Sequence, residues 1–304
     1  MKRLFRTRRL IALALIAALG LGAAWLLSAP KPLTAGDLPA HTPDVANGKL
    51  LFTAAGCQFC HKPGPSLTGV DPSVPAGGAP FKTPVGIFYP PNLTPDKATG
   101  IGAWSDLDFL NAVMRGIGPD GSHLIPAFPY TSYARMRMED VLDIRAYLAT
   151  LPAITSPEQE ADIPLSFLVR RGVGLWKWVG FDETPWQPDE TRDAQWNRGA
   201  YLVNGPGHCG ECHTPRNILM VTDGSRAFAG GPHPGGEGKV PSLRDLIGRG
   251  RYKDAADLVS AFTFGEVMGY DKLSSGGMGE VQSNLAKLPP EDLAAIVAYV
   301  TSLK

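Results

Sequence analysis

The feature that most constrains this chain is a short motif written twice, "CQFCH" at residues 57–61 and "CGECH" at 209–213. Cys57, Cys60, Cys209 and Cys212 are all the cysteines of a 304-residue chain, so every thiol belongs to a copy of C-x-x-C-H. Cysteines three apart on a helical turn face the same way, and the adjoining histidine reaches the centre of whatever the two thiols hold. That grouping suits covalent attachment of a haem: two thiols add across its two vinyl groups, and His61 or His213 turns its imidazole under the iron.

Two other uses of paired cysteines compete. Four thiols could hold one zinc ion, but the 148 residues between the pairs and the histidine after each do not match zinc-site spacing. A redox dithiol or plain disulfides would leave both histidines unexplained, and no βαβ context surrounds either pair. The cofactor expectation is therefore two covalently attached haem c groups, with their iron.

Lys2, Arg3, Arg6, Arg8 and Arg9 precede an uncharged run from Leu10 to Leu27. Positive charge before an apolar stretch keeps the start of the chain in the cytoplasm and sends the downstream residues outward. Retention as a single membrane anchor is the favoured reading, and removal near Leu33-Thr34-Ala35 is the alternative. A formal net charge of zero gives no electrostatic reason to expect nucleic acid. The 35 glycines and 28 prolines stand well above the roughly 12% usual for soluble proteins, which predicts short helices joined by long ordered loops.

The duplication extends beyond the motifs. "NGKLLFTAAGCQFCH" corresponds to "RGAYLVNGPGHCGECH", and "MEDVLDIRAYLATLP" at 138–152 matches "PEDLAAIVAYVTSLK" at 290–304. Val141, Leu142, Ile144 and Leu148, like Leu293, Ile296, Val297 and Val300, make an apolar helix face. The acidic pairs Glu139-Asp140 and Glu291-Asp292 read as first-turn helix stabilisers. Each half runs helix, motif, long loop, middle helix ("WSDLDFLNAVMRG" or "YKDAADLVSAFTFG"), loop, final helix.

This arrangement resembles class I cytochrome c. More narrowly, "TPVGIFYPPNLTPDKATGIGAWSDLDF", "IPAFPYTSYARM" and "GHCGECHTPRN" resemble the cytochrome c subunits of membrane-bound bacterial dehydrogenases acting on alcohols, aldehydes or gluconate. The best-known members carry three haem motifs where this chain has two. The resemblance implies an all-α fold of two tandem class I cytochrome c domains behind one N-terminal transmembrane or signal helix. The boundaries are 1–28 anchor or signal segment, 29–43 linker, 44–152 domain 1, 153–197 connector and 198–304 domain 2.

It also implies methionine sixth ligands lying between each motif and the final helix. Met136 sits at the methionine of "TSYARM", and Met278 lies in "GGMGEV"; Met138 and Met268 are further candidates by position. Counted back from Asp140 and Asp292, Met136 and Met278 do not align, and Pro126 stands opposite Met278. Met136 as a packing residue, with His123 or another side chain as ligand, stays open. Pro65 resembles the Gly-Pro segment whose carbonyl receives the proximal histidine's ring proton, with Pro215 in the corresponding loop. The connector's "LSFLVRRGVGLWKWVGF" reads as a strap across both domains, with a membrane-surface element as the competing reading.

No nucleophile elbow, phosphate loop or metal-spaced histidine pair appears. The expectation is a non-enzymatic electron carrier on the periplasmic side of the bacterial inner membrane. It would take electrons from a dehydrogenase and pass them to a quinone or another cytochrome. The rival is a dihaem enzyme, a peroxidase or thiol-oxidising cytochrome, with an open iron position.

Overall fold

The computed structural model describes residues 2–83, 86–162, 166–235, 238–265 and 277–304. Helix α1 (Lys2–Leu27) contains Phe5–Leu27, 23 residues apolar enough to cross a membrane. Its side chains are exposed from Phe5 to Ala23, and the body of the protein is met only at its end, where Ser28 is buried.

The first half runs α2 (Val45–Ala54), α3 (Cys57–His61), β1 (Phe81–Thr83), β2 (Gly86–Phe88), α4 (Asp106–Leu110), α5 (Tyr130–Tyr133) and α6 (Met138–Ala149). After α7 (Ser166–Gly180), the order returns in the second half. It runs α8 (Ala194–Asn204), α9 (Gly210–His213), β3 (Gly231–Pro232), β4 (Lys239–Val240), α10 (Ala255–Phe264), α11 (Met278–Leu285) and α12 (Pro290–Thr301). The protein is mostly helical. Among the described residues the departure from a purely helical expectation is two antiparallel ribbons, with Phe81 opposite Phe88 and Gly231 opposite Val240. Strands of two or three residues are too short to show a period of two in sequence. The first middle helix also differs from a regular helix: α4 passes into a π turn over Asn111–Arg115 and stops at Gly116, φ +57°.

Local signals place the helices. Asp44 accepts the amides of Ala46 and Asn47 to open α2, and Asp193 accepts that of Trp196 to open α8. Ser105 and Asp108 form a reciprocal cap on α4, and Asp254 caps α10.

The first and last helices of each half cross on a glycine. A Cβ on Gly48 would stand 1.9 Å from the Asp143 carbonyl oxygen, and one on Gly199 would stand 1.8 Å from that of Ala295. Only glycine allows two helix backbones so close. The preceding residues lock the crossings: Asn47 donates to Asp140 at 2.8 Å, and Arg198 to both oxygens of Asp292 at 2.7 and 2.9 Å. The aspartates expected as simple helix-start charges are thus buried interhelix anchors, with Asp140 also held by Arg137 and Tyr201. All eight residues of the two apolar faces are buried. Burial of each such side chain contributes about 1.5–3 kcal/mol.

Candidate haem-attachment sites

Short helix α3 brings Cys57, Cys60 and His61 onto one turn, and α9 with its N-cap does the same for Cys209, Cys212 and His213. No disulfide joins the cysteines of either pair. Gly56 at φ +60° makes the sharp entry into the first motif, and His208 takes the corresponding place at φ +39°. A non-glycine residue there is strained, and it is held by two contacts with the first half: Nε2 lies 3.2 Å from the Ala55 carbonyl, and the ring meets Tyr133 edge-on at 5.7 Å.

Both motif histidines are buried. Burial pushes His61 down to about 4, partly offset by the Pro91 carbonyl, and lowers His213 in the same way against Pro241. Each ring is therefore neutral at pH 7. Nδ1 of His61 lies 2.8 Å from the Pro91 carbonyl oxygen, and Nδ1 of His213 lies 2.8 Å from that of Pro241. A carbonyl can only accept, so Nδ1 carries the proton and Nε2 keeps the lone pair a metal needs. This corrects the expectation at Pro65 and Pro215. The acceptors come from the loop that returns beneath each histidine, 30 and 28 residues downstream.

The return loops are built alike. Gly77 donates its amide to the His61 carbonyl at 2.8 Å, and Gly230 to that of His213 at 2.7 Å. At φ +70° and +73°, a Cβ on either would stand 2.5–2.6 Å from backbone of the acceptor strand. The phrases "AGGAPF…PPNL" and "AGGPHP…VPSL" are the sequence trace of this shared support.

The two motifs are also joined through α5 and the residues that flank them. Glu211, inside the second motif, accepts from Thr131 and Ser132 of α5 at 2.5 and 2.7 Å, and pairs with Arg216. Burial alone would raise its carboxyl, but Arg216 and the two hydroxyls together hold it below the ordinary carboxylate range. Tyr133 Oη donates to the Ala55 carbonyl at 3.4 Å, and Lys62 meets Glu280 of α11 at 3.8 Å. Thr131, Ser132 and Tyr133, which sequence reasoning left without a role, stitch one motif to the other.

Met136 and Met278 occupy the segments before α6 and α12 but are not alike. Met278 opens α11, half-buried, beside Gly277, whose Cβ position lies 3.5 Å from the ring of Phe59 in the first motif. Met136 is 1% exposed, with Cγ 3.4 Å from the Cβ position of Gly205, and protein encloses it. Leu288, at the same register four residues before Asp292, is buried likewise. Met268 lies outside the described residues. His123 is committed elsewhere, Nε2 lying 2.9 Å from the Ser28 carbonyl. Among the described residues no group of three or more His, Cys, Asp or Glu side chains gathers to hold a lone ion.

Paired thiols on one helical turn, an adjoining imidazole with its proton turned away, and a glycine return loop beneath it define a c-type cytochrome. Residues 45–152 match the family described as Cytochrome c. Over 85% of its length the chain is 39% identical to a "Diheme cytochrome c-type" protein of Cereibacter sphaeroides, covering 86% of that protein. It is 34% identical to the "Fructose dehydrogenase cytochrome subunit" of Gluconobacter japonicus over 90% of this chain and 55% of the relative. With the "Gluconate 2-dehydrogenase cytochrome c subunit" of Pantoea cypripedii it shares 36% identity over 85% of this chain and 59% of the relative. The chain belongs to the cytochrome c family and carries covalently bound haem c. Its kinship with cytochrome subunits makes it an electron-transfer protein, and it spans somewhat over half the length of those dehydrogenase subunits.

Proposed function

We propose that the chain is a dihaem cytochrome c of two tandem class I domains, 44–152 and 198–304, carrying electrons from a partner dehydrogenase to a quinone or another cytochrome. It works on the periplasmic face of the inner membrane, with 1–28 as anchor, 29–43 as linker and 153–197 as connector. The observation that carries this reading is the pair of identically supported histidines, His61 on Pro91 and His213 on Pro241. Cys57 and Cys60 hold one haem, and Cys209 and Cys212 the other. When bound, each iron exchanges one electron between ferric and ferrous states. The chain's part is to fix each imidazole, exclude water, and keep the two motifs in contact through α5, which supports transfer within one molecule.

Met278 is the proposed cap of the second iron. Met136 is the proposed cap of the first, and it has to turn out of its pocket against Gly205 to serve. The test is the weak long-wavelength band of methionine-ligated ferric haem, recorded for the intact protein, Met278→Ala and the volume-conserving Met136→Leu. Two-haem intensity halved by each substitution supports the carrier. A band untouched by Met136→Leu and lost with Met278→Ala makes Met136 the packing equivalent of Leu288. With one iron then open to peroxide, that result favours the dihaem enzyme. Met136's enclosure is the observation on that side.

A further inference from the structure

Helix α7 is inside out. At about 3.6 residues per turn its positions divide into four sides. Arg170, Val173 and Lys177 face the first half, where Lys177 donates to the carbonyls of Arg115 and Gly116 and Arg170 to that of His123. Arg171, Gly174 and Trp178 face the end of α1: Arg171 donates to the Trp25 carbonyl, and Trp178 Nε1 to that of Leu27 at 2.8 Å. Trp176 and Gly180 face residues 217–221, with Trp176 Nε1 2.8 Å from the Leu219 carbonyl and the Cβ position of Gly180 2.7 Å from Val221. The side left for solvent is Gly172, Leu175 and Val179, with no polar residue, and Val179 is 63% exposed. A helix on a protein surface ordinarily turns its cations outward.

The loop beside that stripe repeats the pattern. Ile218 is 99% exposed, and Leu219 and Met220 are exposed beside it. Local hydrogen bonds hold this tip. Asn217 Oδ1 accepts the amides of Leu219 and Val221, Arg216 donates to the Met220 carbonyl at 2.7 Å, and Met220 is held at φ +59°. Three apolar features therefore lie side by side: the end of α1, the outer stripe of α7, and the 218–220 tip. Where they meet α1, cations stack on tryptophans, Arg171 over Trp25 at 4.1 Å and Lys31 over Trp178 at 4.5 Å. Tryptophan with a basic neighbour at the end of an apolar helix is the composition of a lipid headgroup boundary.

We propose that the outer stripe of α7 and the Ile218–Met220 loop form a membrane-embedded foot that enters the same leaflet from which α1 emerges. The shared leaflet rests on α1 being retained as an anchor; the foot itself rests on the exposed apolar stripe and tip. Its continuity with α1, through contacts at 171, 174 and 178, selects lipid over a protein partner. Apolar patches rimmed by polar residues mark such surfaces, and this one abuts the only described helix long and apolar enough to span a bilayer.

The test uses the full-length haem-loaded chain in nanodiscs of phosphatidylethanolamine and phosphatidylglycerol, doped with a phospholipid bearing a diazirine near the carbonyl end of its acyl chain. After irradiation, adducts are mapped by peptide mass spectrometry. The expected result is adducts on α1, on the 172–179 peptide and on 217–221. The double substitution Ile218→Asp with Leu219→Asp should abolish those on the loop while α1 labelling and the haem spectrum stay unchanged. Adducts confined to α1 would overturn the foot and leave the anchor. Adducts on the foot alone, with α1 absent from the mature chain, would overturn the anchor and uphold the foot. Adducts on neither would overturn both.

Discussion

Replacing Gly199 with alanine probes the packing that positions the second motif. The new Cβ would stand 1.8 Å from the Ala295 carbonyl oxygen, 2.5 Å from its carbon and 3.0 Å from Tyr299 Cβ. The first two are backbone atoms of α12, so no side chain can swing aside. Restoring ordinary contact requires α8 and α12 to separate by about 1.5 Å, and overpacking of this kind costs about 1–3 kcal/mol. The separation also stretches the two Arg198–Asp292 hydrogen bonds, a loss of roughly 1.5–3 kcal/mol for a charged pair. Against this, alanine gains about 1 kcal/mol over glycine in helix propensity. The net expectation is about 1.5–5 kcal/mol of destabilisation. For a unit of about 100 residues that lowers the melting temperature by roughly 6–40 °C. The assay is thermal unfolding of the oxidised holoprotein followed at the haem absorption band, with Gly172→Ala as control. No atom lies within 4 Å of the Cβ position at Gly172, so that variant should melt at or slightly above the parent. An unchanged Gly199→Ala transition would refute a crossing at this glycine.

Two further outcomes are expected from the same geometry. Burial alone would raise the Asp143 carboxyl, but Asn47, His41 and the Asp44 amide outweigh it and hold it below the ordinary range. Its contribution to stability is therefore complete above the unfolded value of about 3.9 and lost as pH falls through the lower folded value. Asp143→Asn should flatten the acid limb of melting temperature against pH between about 2 and 5, and a superimposable limb would show that the carboxylate is not so engaged. Glu211→Gln weakens the bonds from Thr131, Ser132 and Arg216, for a loss of about 1.5–3 kcal/mol. It should also shift the second haem's potential upward in a spectroelectrochemical titration, and a shift at the first haem alone would contradict the assignment.

Much of the fold was legible because the chain states it twice. The cysteine pairs, the histidines and the apolar faces before and after them stand in matching register, and the structure buries all eight face residues. The features that were not legible have no side-chain signature. The histidine acceptors are backbone carbonyls delivered by a loop some thirty residues away, so a proline close in sequence drew attention from Pro91 and Pro241. Asp140 and Asp292 look like helix-start charges until the crossing glycines bring Asn47 and Arg198 against them. The strap reading of the connector caught the side of α7 that holds the first half. The exposed outer side fits the competing membrane-surface reading, and alternating cations and apolar residues alone do not say which group faces in.

The measurement that tests the central claim most directly is a haem count by intact mass. The holoprotein is compared with Cys57→Ala/Cys60→Ala and Cys209→Ala/Cys212→Ala, each denatured to release anything not covalently held. The account predicts two haems on the parent chain and one on each variant, with peptide mapping placing the survivor on the untouched motif. One haem on the parent, or a variant that still carries two, would contradict it.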